Sequence, residues 1–284
     1  KSLGVIDAGM KNSDKVRIQY AAKQARIANA WKKWIGQIDG LKRMDAVDIK
    51  TIQEGIYNQK AKSDFNWAKK YGHLTKEMNQ LVKNEVMSEF KYSMAIEYFY
   101  VGTEYFKLLR HFEPFVNKIE SFESKEDLIN EIDKLKKHAD YHFKNYDCNI
   151  DKSIFNYQTE EYLKQILTED EFKKLDININ ALTEEVYSTS IFTSKERFYS
   201  FLDRAVKKGL KGLNKDIGYL HYNRYYDRFI DRDLPAYRNF KTKMTSLLKQ
   251  YVAGKHEMFP NKKHWPDANS TMRISYGQLE GSNP

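Results

Sequence analysis

Apolar residues recur along most of the chain at the three- and four-residue spacing of one face of an α-helix. The first such run comprises Val16, Tyr20, Ile27, Trp31 and Trp34. This spacing places apolar side chains along one side of a helix and polar ones along the other. The pattern therefore predicts amphipathic helices that pack against one another.

Start and stop signals divide the periodic regions into separate helices. Ser13 and Asp14 precede the first apolar run, as residues at a helix N-terminus do. The other predicted boundaries are a helix from Asp45 to Tyr71 stopped by Gly72, a long segment from Thr75 through Leu108 toward His111 that Pro114 breaks or restarts, a helix that begins at Ser124, capping boxes at Thr168–Glu171 and Thr193–Glu196, and a last helix from Pro235 to Gly254. The predicted fold is all-α, a multi-helix bundle over residues 13–258 that follows an entry segment at residues 1–12.

Residues 259–284 depart from this pattern. Pro266 to Asn269 form a turn signal, and Thr271 to Gly277 alternate between apolar and polar residues as a strand does. The triplet Asn269-Ser-Thr fits a glycosylation sequon, but Asn and Ser at this position are better explained by the turn itself. The sequence thus predicts a short strand-like tail after a helical body.

Composition agrees with a folded helical protein and restricts its partners. The 284 residues are 41% hydrophobic and 14% aromatic, with few Gly (13) and Pro (5) residues. The net charge of +9 reflects either solvated helix faces or attraction of an acidic partner. No nucleic-acid motif and no membrane-spanning stretch is evident, and the single cysteine, Cys148, cannot form an internal disulfide.

The sequence contains no recognisable catalytic signature. Serine-hydrolase elbows, phosphate-binding glycine loops and dinucleotide fingerprints are all missing. His138 and His142 are four residues apart and could face one metal, but no third ligand is evident, and partly exposed helix histidines are the favoured interpretation. Nothing near Cys148 would activate its thiol. We therefore expect neither a metal nor a cofactor.

Asn29 stands out because it lies in the middle of the first predicted helix. Asn is a poor residue for a helix interior, and Asn29 lies one position from Ala28 and two from Trp31, beside the apolar stripe. One interpretation is a buried side chain bonded to a neighbouring helix. The other is a ligand contact, because an amide oxygen can accept a hydrogen bond from an ammonium group.

Two long segments resemble the S46 family of bacterial serine dipeptidyl peptidases, the dipeptidyl peptidase 7 and 11 group. They are VRIQYAAKQARIANAWKKWIGQIDGLKRM at residues 16–44 and PDANSTMRISYG at residues 266–277. DRDLPAYRNF at residues 231–240 gives weaker support. Between about residues 45 and 230 the likeness is one of order and length only.

The resemblance implies a helical domain inserted into a chymotrypsin-like double β-barrel, whose active-site cleft it caps. Asn29 matches the family Asn that helps to hold the α-ammonium group of the substrate, an oligopeptide with a free N-terminus. Trp31, Arg26 and Tyr20 are second candidates, each of which could instead belong to the core or the surface. The family's Ser, His and Asp lie outside the matched segments, so this chain is expected to be inactive alone.

The resemblance also leads to expectations about the whole protein. We expect an enzyme of the periplasm or cell surface of a Gram-negative bacterium, and a homodimer is one candidate assembly of the full-length protein. The positive charge favours the family branch that cleaves after acidic residues. Residues 1–12 and 259–267 are candidate hinges. Residues from about 270 would form a strand whose partners lie in the barrel, and are expected to be poorly anchored, displaced or paired with a neighbouring molecule. The alternative is a stand-alone helical binding or adaptor module unrelated to proteolysis.

Overall fold

A computed structural model describes residues 1–262 of the chain, and the regular structure of these residues is entirely helical. The α-helices are α1 (Ser2–Asn12), α2 (Asp14–Arg43), α3 (Ala46–Ser63), α4 (Phe65–Tyr71), α5 (Leu74–Ile96), α6 (Glu104–Lys118), α7 (Lys125–Lys144), α8 (Cys148–Ile166), α9 (Glu169–Lys174), α10 (Ile179–Thr189), α11 (Lys195–Lys208), α12 (Ile217–Arg228) and α13 (Leu234–Met258). Two π-helical segments, Glu97–Gly102 and Phe229–Asp233, follow α5 and α12. The all-α prediction is confirmed for this part of the chain.

Several helix boundaries lie where the capping residues predict them. The Ser13 hydroxyl accepts a hydrogen bond from the Val16 amide, and Ser124 does the same for Asp127. Thr168 and Glu171 form the reciprocal bonds of a capping box. Pro235 lies in the first turn of α13, where its missing amide hydrogen costs nothing.

Other boundaries were predicted wrongly. The predicted helix from Asp45 to Tyr71 is broken at Asp64, whose carboxylate caps α4 through the Trp67 amide at 3.0 Å. The predicted capping box at Thr193 is also wrong, because Thr193 is buried and Ser194 caps α11. The last helix continues past Gly254 to Met258.

The largest error concerns the segment from Thr75 to His111. The α-helix ends at Ile96 and continues as the π-helical segment to Gly102. The helical run then breaks at Thr103, which has extended backbone angles. Pro114 neither breaks nor restarts the helix and lies inside α6. The neighbouring Phe112 and Phe115 are buried. Burying each such ring contributes about 1.5–3 kcal/mol, which offsets the cost of about 3 kcal/mol for a proline in a helix interior.

The main core is aromatic and lies among α5 to α8 and α10 to α13. Its largest fully buried side chains are Tyr98, Tyr105, Tyr162, Tyr222, Phe99, Phe106, Phe112, Phe155, Phe192 and Phe198. Many of these rings meet edge to face, as Tyr98 and Phe106 do with centroids 5.0 Å apart. This core holds the body of the bundle together.

A second, smaller apolar cluster joins the first two helices to α8. It consists of Ile6, Val16, Tyr20, Ile150 and Ile154. The predicted entry segment at residues 1–12 is therefore a packed helix over most of its length. Whether it acts as a hinge stays a prediction.

Near the C-terminal end of α13, aromatic side chains attach α3 and α4 to the bundle. Tyr57 packs against Trp67 and Tyr251, with ring centroids 4.7 and 4.5 Å away. The Trp67 indole donates a hydrogen bond to the Gly254 carbonyl at 3.1 Å. These contacts fix the second attachment of the α2–α3 region to the bundle.

Several sequence expectations fall on residues beyond this range. The predicted strand at Thr271–Gly277, the Asn269 sequon and most of the return segment at residues 259–284 lie outside the described residues. Among the helices that are described, none is both long and apolar enough to cross a membrane.

Candidate functional site

The first half of α2 is anchored in the bundle. Val16 and Tyr20 lie on its buried face, and Ile27 packs against the edge of the same cluster. The Tyr20 hydroxyl also accepts a hydrogen bond from the Asp147 amide at 3.2 Å, at the start of α8. Burial raises the pKa of Tyr20 above its usual range. Tyr20, one of the secondary site candidates, is thus a buried residue that anchors α2 to the bundle.

Lys23 follows on the same buried face and is the last buried residue of α2. Its ammonium group donates a hydrogen bond to the Gly102 carbonyl at 2.7 Å and forms an ion pair with Glu104. Lys107 also donates to both carboxylate oxygens of Glu104, at 2.9 Å each. Burial alone would raise the pKa of Glu104, but the charges of Lys23 and Lys107 outweigh burial and lower it.

The start of α6, next to this ion pair, is capped by another helix. Thr103 makes no capping bond with its own side chain. Instead Asp151, fully buried on α8, accepts hydrogen bonds from the amides of Glu104 and Tyr105 and from the Tyr187 hydroxyl. Burial raises the pKa of Asp151 to about 6, although Lys23 lowers it. The junction between α5 and α6 is thus held by side chains from α2, α8 and α10.

Beyond Ile27, α2 leaves the bundle. Residues 29–43 and the first seven residues of α3 are nearly all exposed, and we call residues 29–52 the projecting segment. Its turn contains Asp45, which has left-handed backbone angles (φ 48°, ψ 40°). Apolar side chains that continue the buried stripe of α2 are exposed here, at 56% for Trp31, 61% for Trp34 and 59% for Leu41. Trp31, a secondary site candidate, is therefore a surface residue among the described residues.

The expectation that Asn29 lies beside the apolar stripe is wrong, because Asn29 lies on the opposite face of α2. It comes nine residues after Tyr20, which at about 100° per residue is a rotation of about 180°. Asn29 is exposed, and its side chain makes no hydrogen bond to the described residues. The interpretation of Asn29 as a buried side chain bonded to a neighbouring helix is therefore wrong.

The side of α2 that carries Asn29 is positively charged. Arg26, the remaining secondary candidate, lies three residues before Asn29, and Lys32 and Lys33 lie three and four residues after it; all three are exposed. Residues at these spacings are surface neighbours on a helix. The structure thus brings Arg26 together with Asn29 and separates both from Tyr20 and Trp31.

The two histidines of α7, His138 and His142, are half-buried and packed against neighbouring side chains. His138 is half-buried and stacks on His111 of α6, with ring centroids 3.4 Å apart. Burial lowers the pKa of His142 to about 4. Within residues 1–262, no group of three or more His, Cys, Asp and Glu side chains is arranged to hold a metal ion.

Cys148 is the N-terminal residue of α8 and is exposed. Partial burial of the thiol raises its pKa above the ordinary value. A thiol with a raised pKa is a poorer nucleophile at neutral pH because less of it is thiolate. This environment gives no sign of a catalytic cysteine.

Comparison with known proteins identifies the family. The model of the peptidase S46 family matches residues 1–284. The chain belongs to the peptidase S46 family. The resemblance carried by residues 16–44 and 266–277 is thereby confirmed.

Relatives of this S46 chain come from both named groups of dipeptidyl peptidases. An Asp/Glu-specific dipeptidyl-peptidase of Flavobacterium psychrophilum is 30% identical over all of this chain and 40% of its own length. A second one, from Capnocytophaga gingivalis, is 28% identical over 99% of this chain and 40% of its own length. A dipeptidyl-peptidase 7 of Phocaeicola vulgatus is also 28% identical, over 99% of this chain and 39% of its own length. The chain thus spans about two fifths of the length of these curated relatives.

The buried network of Lys23, Glu104 and Asp151 was missed by sequence reasoning. One signal was present: Lys23 lies three residues after Tyr20 and four before Ile27, so that a charged residue occupies the apolar stripe of α2. A lysine in such a position needs a buried partner. The identity of that partner depends on α6 and α8, whose placement the local pattern does not specify.

Proposed function

We propose that this chain is the helical cap and substrate-binding domain of a serine dipeptidyl peptidase that releases dipeptides from peptide N-termini. The observation that carries the proposal is the position of Asn29. Its amide is exposed and without a partner among the described residues, on a helix whose base is fixed by buried contacts. Such an amide can accept a hydrogen bond from a substrate ammonium group without neutralising its charge.

Holding the amine would explain why two residues are removed at a time. An amine enclosed in a cleft requires acceptors, because an unpaired buried charge is costly. If Asn29 supplies one acceptor, the distance from it to the nucleophile determines which peptide bond is attacked. In this proposal the Ser, His and Asp of the triad belong to a chymotrypsin-like double β-barrel of the same polypeptide, and this chain alone is inactive.

The charge around Asn29 supports a preference for Asp or Glu at the cleaved position. Arg26, Lys32 and Lys33 lie within one helical turn of it, and the net charge of the chain is +9. Cations near the substrate raise the local concentration of acidic peptides. Similarity does not separate the two groups, since relatives of both are about equally identical to this chain.

The projecting segment supports a contact with the rest of the protein. It carries several exposed large apolar side chains, including Trp34, Leu41 and Ile52. Exposed apolar groups of this kind mark interaction surfaces. We assign them to contacts with the proposed catalytic part or with a second copy in a homodimer. The proposed location is the periplasm or cell surface of a Gram-negative bacterium.

Replacing Asn29 in the full-length peptidase tests the proposal. Asn29→Ala should lower kcat/KM for a peptide with a free N-terminus by about 10- to 150-fold, because a hydrogen bond to a charged group contributes about 1.5–3 kcal/mol. Asn66→Ala, at an exposed asparagine of α4, is the matched control and should leave kcat/KM within about twofold. Unchanged kinetics in Asn29→Ala would remove this residue from the site.

A further inference from the structure

Lys23 lies close to Asn29 along α2 but on a different side of the helix. The two residues are six positions apart, about 9 Å along the helix axis. Lys23 is the last buried residue of α2. Between it and Asn29, the half-buried side chains of Gln24, which donates a hydrogen bond to the Asp7 carboxylate of α1 at 3.0 Å, and Ile27 also contact the bundle. The contacts of Lys23 are therefore among the last that determine where the exposed part of the helix points.

These contacts are specific in position. The Lys23 ammonium group donates to the carbonyl of Gly102, the last residue of the π-helical segment, and pairs with the carboxylate of Glu104 at the start of α6. Both partners are held by other groups. A Cβ on Gly102 would overlap the Gln158 side chain, so the backbone lies tightly against α8. Asp151 meanwhile holds the amide of Glu104.

This arrangement restricts both the rotation and the sliding of α2. A shift by one residue would rotate the helix by about 100° and move it by about 1.5 Å, which would remove the buried ammonium group from its carboxylate. A buried charge without a partner is strongly disfavoured, so the pairing opposes other registers of the packed helix. Apolar contacts such as those of Val16 and Tyr20 are less directional.

Stability alone does not explain a lysine at this position. The stripe of α2 is apolar at Val16, Tyr20 and Ile27, and an apolar residue at position 23 would continue it. Replacing a buried ion pair by well-packed apolar residues is often neutral or stabilising. A buried ion pair does specify one geometry, and here that geometry concerns the helix that carries Asn29.

We propose that Lys23 is a positioning residue for Asn29: its pairing with Glu104 and Gly102 sets the rotation of α2 and so aims the Asn29 amide at the substrate amine. The inference rests on the proposed function, because it assumes that Asn29 holds the substrate N-terminus. Lys23 itself is buried and does not touch the substrate. Its effect on catalysis therefore passes through Asn29.

A double-mutant cycle in the full-length peptidase tests this assignment, with Lys23→Met, Asn29→Ala and the double variant. Lys23→Met should raise KM for a peptide with a free N-terminus about tenfold and leave kcat within about twofold, because it weakens a binding contact. In the Asn29→Ala background, the same change should alter KM by less than about twofold, because the contact is already lost. Lys23→Arg, which keeps the charge, should recover part of the loss.

Control variants separate this effect from a general loss of structure. Lys136 of α7 pairs with Asp203 of α11, away from α2, and Lys136→Met should leave KM unchanged. If Lys23→Met does not fold because the partly buried Glu104 keeps only Lys107 as a partner, Lys23→Met/Glu104→Gln removes the charge of that carboxylate and carries the same expectation.

The possible failures are distinguishable. Wild-type KM in Lys23→Met, or effects of Lys23→Met and Asn29→Ala that multiply in the double variant, would overturn the positioning role while Asn29 keeps its own. Wild-type kinetics in Asn29→Ala would overturn the proposed substrate contact, and the positioning role with it.

Discussion

The cap that Asp151 forms on α6 leads to a quantitative prediction about stability. Asp151 is fully buried and accepts three hydrogen bonds, from the amides of Glu104 and Tyr105 and from the Tyr187 hydroxyl. Asp151→Ala would leave these three donors without a partner inside the bundle. No other side chain of the described residues caps α6.

The size of the effect follows from the number of donors. A buried donor without a partner costs about 1–3 kcal/mol, so three of them cost about 3–9 kcal/mol before any relaxation. Water that enters the space left by the carboxylate would satisfy part of this demand. Removing a carboxylate that burial disfavours also reduces the loss. We therefore expect Asp151→Ala to lower the free energy of unfolding by about 3 kcal/mol, the lower end of this range and still a large share of the 5–15 kcal/mol typical of a domain.

Asp147 provides a matched comparison on the same helix. Its carboxylate is the N-cap of α8 itself and accepts hydrogen bonds from the Asn149 and Ile150 amides at 3.1 and 3.0 Å. Loss of a cap in a more exposed position costs about 0.5–2 kcal/mol. Asp147→Ala should therefore be destabilising by clearly less than Asp151→Ala.

Urea unfolding followed by far-ultraviolet circular dichroism measures both variants. A pH near 8 keeps Asp151 ionised, since its pKa is about 6. Equal m-values would show that the unfolded states are comparable. If Asp151→Ala costs no more than Asp147→Ala, the cap between helices does not stabilise the fold in the way described.

Two further predictions concern packing and acid sensitivity. Gly254→Ala should lower the free energy of unfolding by up to about 2 kcal/mol, since the added Cβ would lie 2.7 Å from the Tyr57 hydroxyl and 2.9 Å from the Tyr71 ring. Gly55→Ala, in open space on α3, should raise it by up to about 1 kcal/mol. Urea unfolding measures both changes, and the same sign for both would contradict this account. Burial lowers the pKa of His221 to about 3, so at mildly acidic pH the unfolded chain binds a proton that the folded chain excludes. The contribution of neutral His221 to the free energy of unfolding is therefore complete above about pH 6.5 and is lost as the pH falls toward 3. The urea midpoint should therefore fall more between pH 7.5 and pH 4.5 in the wild type than in His221→Gln, and equal slopes would refute this account.

Local signals in the sequence predicted helices and several of their ends. Ser13, Ser124 and Thr168 each cap a helix through an amide three residues away, so the information lies within one turn. The apolar spacing from Val16 to Trp34 likewise predicted α2, which continues through Gly36 and Gly40 to Arg43. Such features need no distant partner, and sequence reasoning could find them.

The features that were missed depend on residues far apart in the chain. The break at Thr103 is held by Lys23 and Asp151, which lie about 80 residues before it and about 50 after it. Pro114 stays within α6 because neighbouring aromatic rings are buried in a core made by other helices. Spacing and capping rules contain no information about such contacts.

The site divides in the same way. The sequence by itself determined an all-α body up to about residue 258, membership of a recognisable family, and an asparagine in the middle of the first long helix as the residue to examine. Only the tertiary structure decided that Asn29 is exposed while Tyr20, on the opposite face, is buried, and that α2 is held by Lys23 before it leaves the bundle. The physical reason is that periodicity defines the faces of a helix, whereas which face is covered depends on the helices that pack against it.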